Sequence, residues 1–323
     1  MGESILLSIV VPGKNEESNI SRCLDSILKN APSFLKKEII LVDCDSKDNT
    51  VEKAQKYPIK ILKLKPDWPH SPSAARYIGN IFSSGEFIFF IDADMTLGPG
   101  FLEKAIDVLN EDKNIAGVGG IGKEIYIKDN AEITGNPDLY RSKAAFKKTT
   151  FLGGSGLYRR QAVQETGGFN PYLKAGEENE LGQRLRKKGY YLVSLPIPMI
   201  IHYTAPVRKW QEFIRKKQMG MFLGIDQAMR LSPNSRYLCQ TLLYYKDFTV
   251  FLLFVLFAGI MPLTTGLLLL YLWLKKKGLK TAILSLLKWF SISVDIMRGL
   301  LMPLPDHATY PKTPYIVKGD FNV

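Results

Sequence analysis

Three short apolar runs in the first hundred residues each end in acidic or polar residues, and this pattern is the feature that most constrains the fold. Leu6–Val11 leads into Pro12-Gly13-Lys14-Asn15-Glu16, Ile39–Val42 into Asp43-Cys44-Asp45, and Phe87–Ile91 into Asp92-Ala93-Asp94. Short runs that are apolar on both faces are typical of buried parallel strands. Helical patterns lie between them, at Asn19–Asn30 and Thr50–Tyr57. The alternation predicts an α/β fold with right-handed crossovers.

The acidic residues that follow the runs indicate where a ligand binds. In an open α/β sheet, ligands bind beyond the carboxyl ends of the strands. Asp92 and Asp94 are two residues apart at such an end, and two carboxylates there can present oxygens to one Mg²⁺ or Mn²⁺. A bare D-x-D recurs by chance in many loops, but its position directly after an apolar strand favours a cation site.

The ordered set of motifs resembles glycosyltransferase family 2. The matching segments are Ser8–Glu16, Val42–Thr50, Ala75–Gly79, Phe90–Asp94, Gly167–Phe169 and Gly176–Leu181. They span roughly residues 6 to 205. The resemblance implies a GT-A fold, with a mostly parallel central sheet flanked by helices. It also implies an enzyme that transfers a sugar from a nucleotide-diphosphate-sugar, with inversion and with a divalent cation.

The resemblance also implies roles for single residues. The nucleotide-sugar would be bound by Pro12, Asn15, Glu16, Asp43, Asp45, Arg76 and Asp92, with Arg76 at the diphosphate. The metal would be held by Asp92, Asp94 and His202. Glu178 would be the catalytic base, and Glu177 beside it is the alternative. The chain departs from the family pattern at Cys44 and Asp45, at Tyr77, and at Glu178, where an aspartate is usual.

Simpler interpretations of these residues remain open. Glu177 and Glu178 fit a solvated helix start, where carboxylates favour the helix dipole. His202 fits a buried core histidine, and Arg76 a plain surface residue. The segment Gly117–Lys123 matches most of a P-loop, but Glu124 stands where Ser or Thr must reach Mg²⁺, and Glu124–Ile127 alternates like a strand. A P-loop-like nucleotidase and a non-catalytic membrane scaffold are therefore the alternative functions.

Charge and cysteine content narrow the cellular setting. The formal net charge is +12, and two basic clusters, Arg215–Lys217 and Lys275–Lys277, flank apolar segments. Such clusters fit a cytoplasmic membrane surface better than a nucleic acid. The three cysteines, Cys23, Cys44 and Cys239, form neither a disulfide framework nor a metal cluster. We expect a catalytic domain on the cytoplasmic face of the cell membrane, with a UDP- or GDP-sugar donor and a lipid-linked or glycan acceptor.

The last third of the chain has a different composition. Phe248–Leu274 contains no charged residue, and as a helix it is long enough to cross a bilayer; alternatively it forms a re-entrant hairpin broken at Pro262. Thr281–Met302 is apolar too, but Lys288, Asp295 and Arg298 fall on one helical face, so it either spans the membrane or lies flat in its interface. Val207–Leu231 reads either as a basic interfacial helix or as an ordinary packing helix. The sequence thus predicts a catalytic domain at 1–235 and a membrane-associated helical region at 236–323.

Overall fold

The structure is a computed structural model, and it describes residues 7–128, 131–133, 146–204, 209–221 and 301–320, with single residues and short stretches between 271 and 299. The chain divides into two compact units. One comprises Met1–Lys209 and Pro305–Val323, and the other Trp210–Leu304. The last nineteen residues thus belong to the unit that contains the N-terminal strands, and the functional division at residue 235 stays a prediction.

The first unit alternates strands and helices along its N-terminal half, as the apolar runs predict. The strands are β1 (Leu7–Gly13), β2 (Lys37–Asp43), β3 (Lys60–Lys63), β4 (Phe87–Phe90), β5 (Met95–Leu97), β6 (Ile115–Lys128), β7 (Ala131–Ile133), β8 (Lys147–Thr149), β9 (Gly156–Arg159), β10 (Tyr191–Thr204) and β11 (Tyr315–Lys318). Its helices are α1 (Ile20–Asn30), α2 (Thr50–Ala54), α3 (Pro72–Phe82), α4 (Phe101–Glu111), α5 (Arg160–Glu165) and α6 (Glu177–Lys187). Helix α7 (Lys209–Gln218) leads into the second unit.

The strands form one sheet in the order β11-β3-β2-β1-β4-β9-β6-β10-β5, with β7 on β6 and β8 on β10. Strands β3, β2, β1 and β4 are parallel, as predicted for the three apolar runs. Beyond β4 the direction changes, since β9 is antiparallel to both β4 and β6. The sheet is therefore mixed, and the prediction of a mostly parallel sheet is corrected. The reversal lies in the second half of the domain, where no comparable apolar run marks the strands.

Helix α3 is seated unusually closely on the centre of the sheet. A β-carbon on Gly79 would lie 2.3 Å from Cγ1 of Val10, so only glycine permits this approach of α3 to β1. The hydroxyl of Ser71 caps the helix by accepting the amide of Ala74 at 3.0 Å, and Pro72 occupies its first turn. This seating places Arg76, one turn before Gly79, next to the carboxyl ends of the strands.

The C-terminal segment packs on the first unit through an aromatic cluster. Tyr310 is 2% exposed and meets the rings of Trp68, Tyr77 and Tyr172 edge-on, at centroid distances of 5.5 to 5.8 Å. Its hydroxyl donates to the carbonyl of Pro69 at 2.7 Å. Strand β11 then pairs antiparallel with β3 at the sheet edge. Buried edge-to-face aromatic pairs contribute about 0.5–1.5 kcal/mol each beyond their area, so this cluster holds the segment firmly.

In the second unit, charged residues of the predicted polar stripe contact α7. Asp295 is 7% exposed and accepts from Nζ of Lys217 at 2.6 Å, while Nζ of Lys288 lies 5.1 Å from the ring centre of Phe213. Apolar side chains remain exposed nearby: Trp210, Ile214, Leu284, Leu287, Phe290, Val294 and Leu301. Within the described residues no helix is both long and apolar enough to span a membrane. Of Phe248–Leu274 only Tyr271 is described, so that predicted segment lies almost wholly outside them.

Candidate active site

Two loops at the carboxyl ends of β1 and β2 are bonded to each other. The amide of Asn15 donates to Oγ of Ser46 at 2.8 Å, and the amide of Lys47 donates to Oδ1 of Asn15 at 2.8 Å. The amide of Glu16 donates to Oγ1 of Thr50 at 2.7 Å. Asn15 has φ of 57°, a left-handed conformation that asparagine tolerates better than most residues. The loops therefore present the predicted donor-binding residues as one surface.

The predicted base-pocket carboxylates, Asp43 and Asp45, have different surroundings. Asp43 is fully buried and accepts the amide of Ser46 at 3.0 Å and also its hydroxyl. Burial raises the pKa of Asp43 above its usual value. Asp45, at φ 62°, pairs with Lys47 at 2.6 Å and Lys63 at 3.4 Å, and the hydrogen bond from Lys47 lowers its pKa. Asp45 thus stays charged beside two lysines.

Glu16 and Pro12 connect these loops to the acidic pair after β4. The carbonyl of Pro12 accepts the amide of Ala93 at 3.0 Å, which places Asp92 and Asp94 beside the first loop. Burial raises the pKa of Glu16 to about 7, and the charges of Asp94 and Asp92 add to this effect, while the hydrogen bond from Asn19 opposes it. Three carboxylates from two loops therefore lie close enough for their charges to interact.

Arg76 lies at the centre of the site, with its side chain 2% exposed. Its guanidinium donates to Oδ1 of Asp92 at 2.7 Å, to Oε1 of Glu177 at 2.8 Å and to the carbonyl of Gly154 at 3.0 Å. The interpretation of Arg76 as a surface residue is wrong. The guanidinium thus joins two carboxylates, one in the loop after β4 and one at the start of α6. Its predicted contact with the diphosphate stays a prediction.

Glu177 and Glu178 begin α6, but only one of them is held in the interior. Glu177 is 6% exposed and bonded to Arg76; burial and the charge of Glu178 raise its pKa, whereas Arg76 lowers it. Glu178 is half-buried. A β-carbon on Gly154 would lie 3.0 Å from Oδ2 of Asp92 and 3.8 Å from Oε1 of Glu178, so the glycine leaves a gap in which both carboxylates face the pocket. A solvated helix start does not describe this pair.

Asp94 and His202 meet on the other side of the pocket. Nε2 of His202 lies 3.0 Å from Oδ2 of Asp94, and both side chains are partly exposed, at 19% and 28%. Burial lowers the pKa of His202, but the hydrogen bond to Asp94 and the charges of Asp94 and Glu124 outweigh it, so its pKa is raised. The structure thus brings the predicted ligands Asp94 and His202 together and turns Asp92 towards Arg76.

The chemistry of these residues fits a divalent cation. Oδ1 of Asp94 is buried without a hydrogen-bond partner among the described residues, and carboxylate and imidazole groups are ligands that Mn²⁺ accepts. Within the same described residues, no group of three or more His, Cys, Asp or Glu side chains is arranged to hold a metal. Asp94 and His202 can therefore contribute part of a coordination shell, which a ligand's oxygens must complete.

The P-loop-like segment has no phosphate-binding geometry. Residues 117–123 lie within β6, a continuous strand from Ile115 to Lys128, and no helix follows them directly. Its glycines serve packing instead, because a β-carbon on Gly120 would lie 2.7 Å from Cβ of Met199. The nucleotidase alternative is excluded, since its mechanism requires a helix N-terminus at the phosphates.

The comparison with protein families matches the part of the chain that carries the first half of this site. Residues 8–167, which carry both donor loops, Arg76 and the Asp92–Asp94 pair, match the model of glycosyl transferase family 2. The protein is a glycosyltransferase, and residues 8–167 carry its similarity to this family.

Curated relatives share parts of the chain. Glycosyltransferase AglE of Haloferax volcanii is 26% identical over 235 residues, which cover 71% of this chain and 76% of AglE. A dolichol-phosphate mannosyltransferase of Pyrococcus furiosus is 34% identical over 114 residues, which cover 34% of this chain and 32% of that protein. The chain thus spans most of the first relative but only about a third of the second.

Solved structures show the fold. The mannosyltransferase PcManGT from Pyrobaculum calidifontis, in complex with GDP-Man and Mn²⁺, superposes with a TM-score of 0.60 at 15% identity, over 93% of this chain and 88% of that one. S. aureus TarS 1-349 in complex with UDP-GlcNAc gives 0.55 at 15% identity, over 91% and 89%. The fold is accordingly GT-A-like, with a mixed sheet flanked by helices.

Proposed function

We propose that this glycosyltransferase moves a sugar from a nucleotide-diphosphate-sugar to a lipid-linked or glycan acceptor, with a divalent cation and with inversion at the anomeric carbon. The proposal is carried by one observation: functional groups from α3, α6 and β10 meet around the acidic pair Asp92 and Asp94. Arg76 bonds Asp92, His202 contacts Asp94, and Glu178 lies with Asp92 beside Gly154. The named ligands of the structural neighbours, GDP-Man with Mn²⁺ and UDP-GlcNAc, support this class of donor.

The chain's own residues suit a direct displacement. Glu178 is the half-buried member of its pair and is not bonded to Arg76, so it takes the proton of the acceptor hydroxyl as general base. Glu177 is bonded to Arg76 and positions it. Arg76 in turn fixes Asp92, and its positive charge favours a leaving group that gains negative charge.

Asp94 and His202 would hold the cation, and Asp92 lies within the same pocket. When bound, the cation would stabilise the negative charge of the departing nucleoside diphosphate. The raised pKa of Glu16, about 7, leaves this carboxyl partly protonated at neutral pH, which reduces its repulsion of Asp92 and Asp94.

We further propose that the second unit lies at the cytoplasmic face of the cell membrane. The exposed apolar residues of the second unit would enter the interface, while Arg215 and Lys216 face anionic lipid. The contacts of Asp295 and Lys288 with α7 residues favour an interfacial over a spanning position for Thr281–Met302. Replacing Leu287 and Phe290 by serine should reduce sedimentation with anionic vesicles; unchanged binding to them would contradict this arrangement.

The metal dependence is tested by nucleotide release from a panel of UDP- and GDP-sugars, with EDTA and with added Mn²⁺. Release should require Mn²⁺ or Mg²⁺, and Asp94→Asn should lower it by about 10²-fold or more with the fold intact, because the cation loses a charged ligand. Asp107→Asn, on the exposed face of α4, is a matched control and should behave as wild type. Full turnover in EDTA would overturn the metal-dependent mechanism, and absence of release from every donor would overturn the donor class.

A further inference from the structure

Glu124 is a buried carboxylate that neither the family resemblance nor the sequence motifs place in the site. It is 6% exposed and lies on β6, directly opposite His202 in the parallel pairing of β6 with β10. Neighbouring residues at one level of a sheet project to the same face. Two bulges between Ser194 and Ile200 precede this pairing and set its register.

The two ring nitrogens of His202 face different carboxylates. Nε2 faces Asp94 at 3.0 Å, whereas Nδ1 faces Oε1 of Glu124 at 3.9 Å. Nδ1 of His202 and Oε2 of Glu124 are both buried, and neither has a hydrogen-bond partner among the described residues. Leaving buried polar atoms unpaired costs free energy, so a small movement of the Glu124 carboxylate that brings Oε2 to hydrogen-bonding distance of Nδ1 would satisfy both unpartnered atoms at once.

We propose that Glu124 is a positioning residue for the metal ligand His202. Its carboxylate accepts a hydrogen bond from Nδ1–H of the imidazole, and this orients the Nε2 lone pair towards the cation beside Asp94. An imidazole that binds a metal commonly donates its other N–H to a carboxylate, which fixes both its tautomer and its orientation. The inference rests on the proposed metal-dependent function. It adds a residue that touches neither substrate nor cation.

The same strand thus performs two tasks. Its glycines at 117 and 120 permit close packing against Tyr158 and Met199, and its continuation brings Glu124 behind the cation site. Glu124, which stands where a P-loop needs Ser or Thr, therefore helps to position His202 in the proposed cation site.

Mn²⁺ binding by the full-length protein, measured by electron paramagnetic resonance without nucleotide, tests the proposal. Glu124→Gln preserves the shape and an acceptor oxygen but removes the charge, and should weaken Mn²⁺ affinity about tenfold. Glu124→Leu removes the acceptor as well and should weaken it by up to about 100-fold. His202→Ala should weaken it at least as much as either variant.

Glu38→Gln is the matched control. Glu38 is also a buried glutamate with 6% exposure, but it lies at the amino end of β2, remote from the site at the carboxyl ends of the strands. It should lower the melting temperature and leave Mn²⁺ affinity unchanged. Wild-type affinity in both Glu124 variants, with weakened affinity in His202→Ala, would overturn the role of Glu124 alone. If wild-type protein and His202→Ala bind Mn²⁺ equally, His202 is not a ligand, and the metal site of the proposed function fails together with the inference.

Discussion

The two ends of the parallel strands both carry buried carboxylates, and their hydrogen bonding differs. At the amino end, Glu38 accepts from the hydroxyl of Ser8, from the amide and hydroxyl of Ser84 and from Nζ of Lys60, at 2.7 to 2.9 Å. At the carboxyl end, Asp94 and Glu124 each keep one buried oxygen without a partner among the described residues. The two ends are roughly 17 Å apart along β2, at about 3.3 Å per residue.

This difference separates a carboxylate whose charge the protein itself satisfies from carboxylates that we propose bind a cation. Hydrogen bonds lower the pKa of Glu38 although its burial raises it, so the folded state holds it as an anion. Burial instead raises the pKa of Asp92 to about 6 and of Glu16 to about 7. A charge that the protein itself satisfies contributes to stability, while a charge left for a cation costs stability until the cation binds.

The largest expected effect is at the carboxyl end. Glu178→Gln keeps the size of the side chain but removes its basicity, so kcat should fall about 10²- to 10⁴-fold while donor binding survives. Glu177→Gln should mainly lower the melting temperature, since it leaves Arg76 with one fewer anionic partner. Steady-state kinetics and thermal unfolding of both variants check this. Should Glu177→Gln alone abolish turnover without loss of stability, the two roles are exchanged.

An intermediate effect is expected at the amino end. Glu38→Leu leaves Lys60 without its carboxylate and removes the acceptor for three donors, so the free energy of unfolding should fall by about 2–4 kcal/mol. The kcat of the molecules that remain folded should not change, because Glu38 is remote from the pocket. Urea unfolding with activity at low denaturant measures both. If Glu38→Leu instead lost turnover while its stability stayed unchanged, Glu38 would not be a purely structural carboxylate, and the contrast between the two ends of the strands would fail.

The smallest expected effect concerns pH. The raised pKa of Glu16 means that its protonated form stabilises the folded state below its unfolded value near 4.5, and that this contribution is lost as pH rises through about 7. Metal-free wild-type protein should therefore lose more stability between pH 5 and pH 8 than Glu16→Gln does. Melting temperatures in chelator across this range test the difference. Parallel curves for the two proteins would show that Glu16 is ionised without cost.

The sequence predicts the parallel part of the sheet because its strands are apolar on both faces. Leu6–Val11, Ile39–Val42 and Phe87–Ile91 correspond to β1, β2 and β4, and they place the donor loops and the Asp92–Asp94 pair at one edge. Strands β6 and β10 carry glycines and prolines, so hydrophobic pattern alone does not reveal their length or their register. The change of strand direction at β9 is missed for the same reason.

The partners of the site residues depend on tertiary structure. Arg76 and Glu177 are 101 positions apart in the chain, and their 2.8 Å hydrogen bond forms because α3 and α6 pack into the same hydrophobic cluster. Sequence motifs identify both residues but not their pairing. Glu124 belongs to no motif of the site. The sequence indicates only that it lies in a segment, Glu124–Ile127, that alternates like a strand, and its burial and its position opposite His202 appear only in the structure. The membrane segment Phe248–Leu274 stays a prediction.

Residues 305–320 belong to the first unit, and this affects how the chain is divided between the two units. Strand β11 on β3 and the ring of Tyr310 among three aromatic side chains hold this segment within the first unit, although 95 residues of the second unit precede it in the chain. The second unit is therefore an insertion, and the first unit is a domain assembled from two separate stretches of sequence. A single protease cut within residues 210–304 should yield two fragments that still migrate as one particle, and whose separation requires denaturant rather than dilution alone.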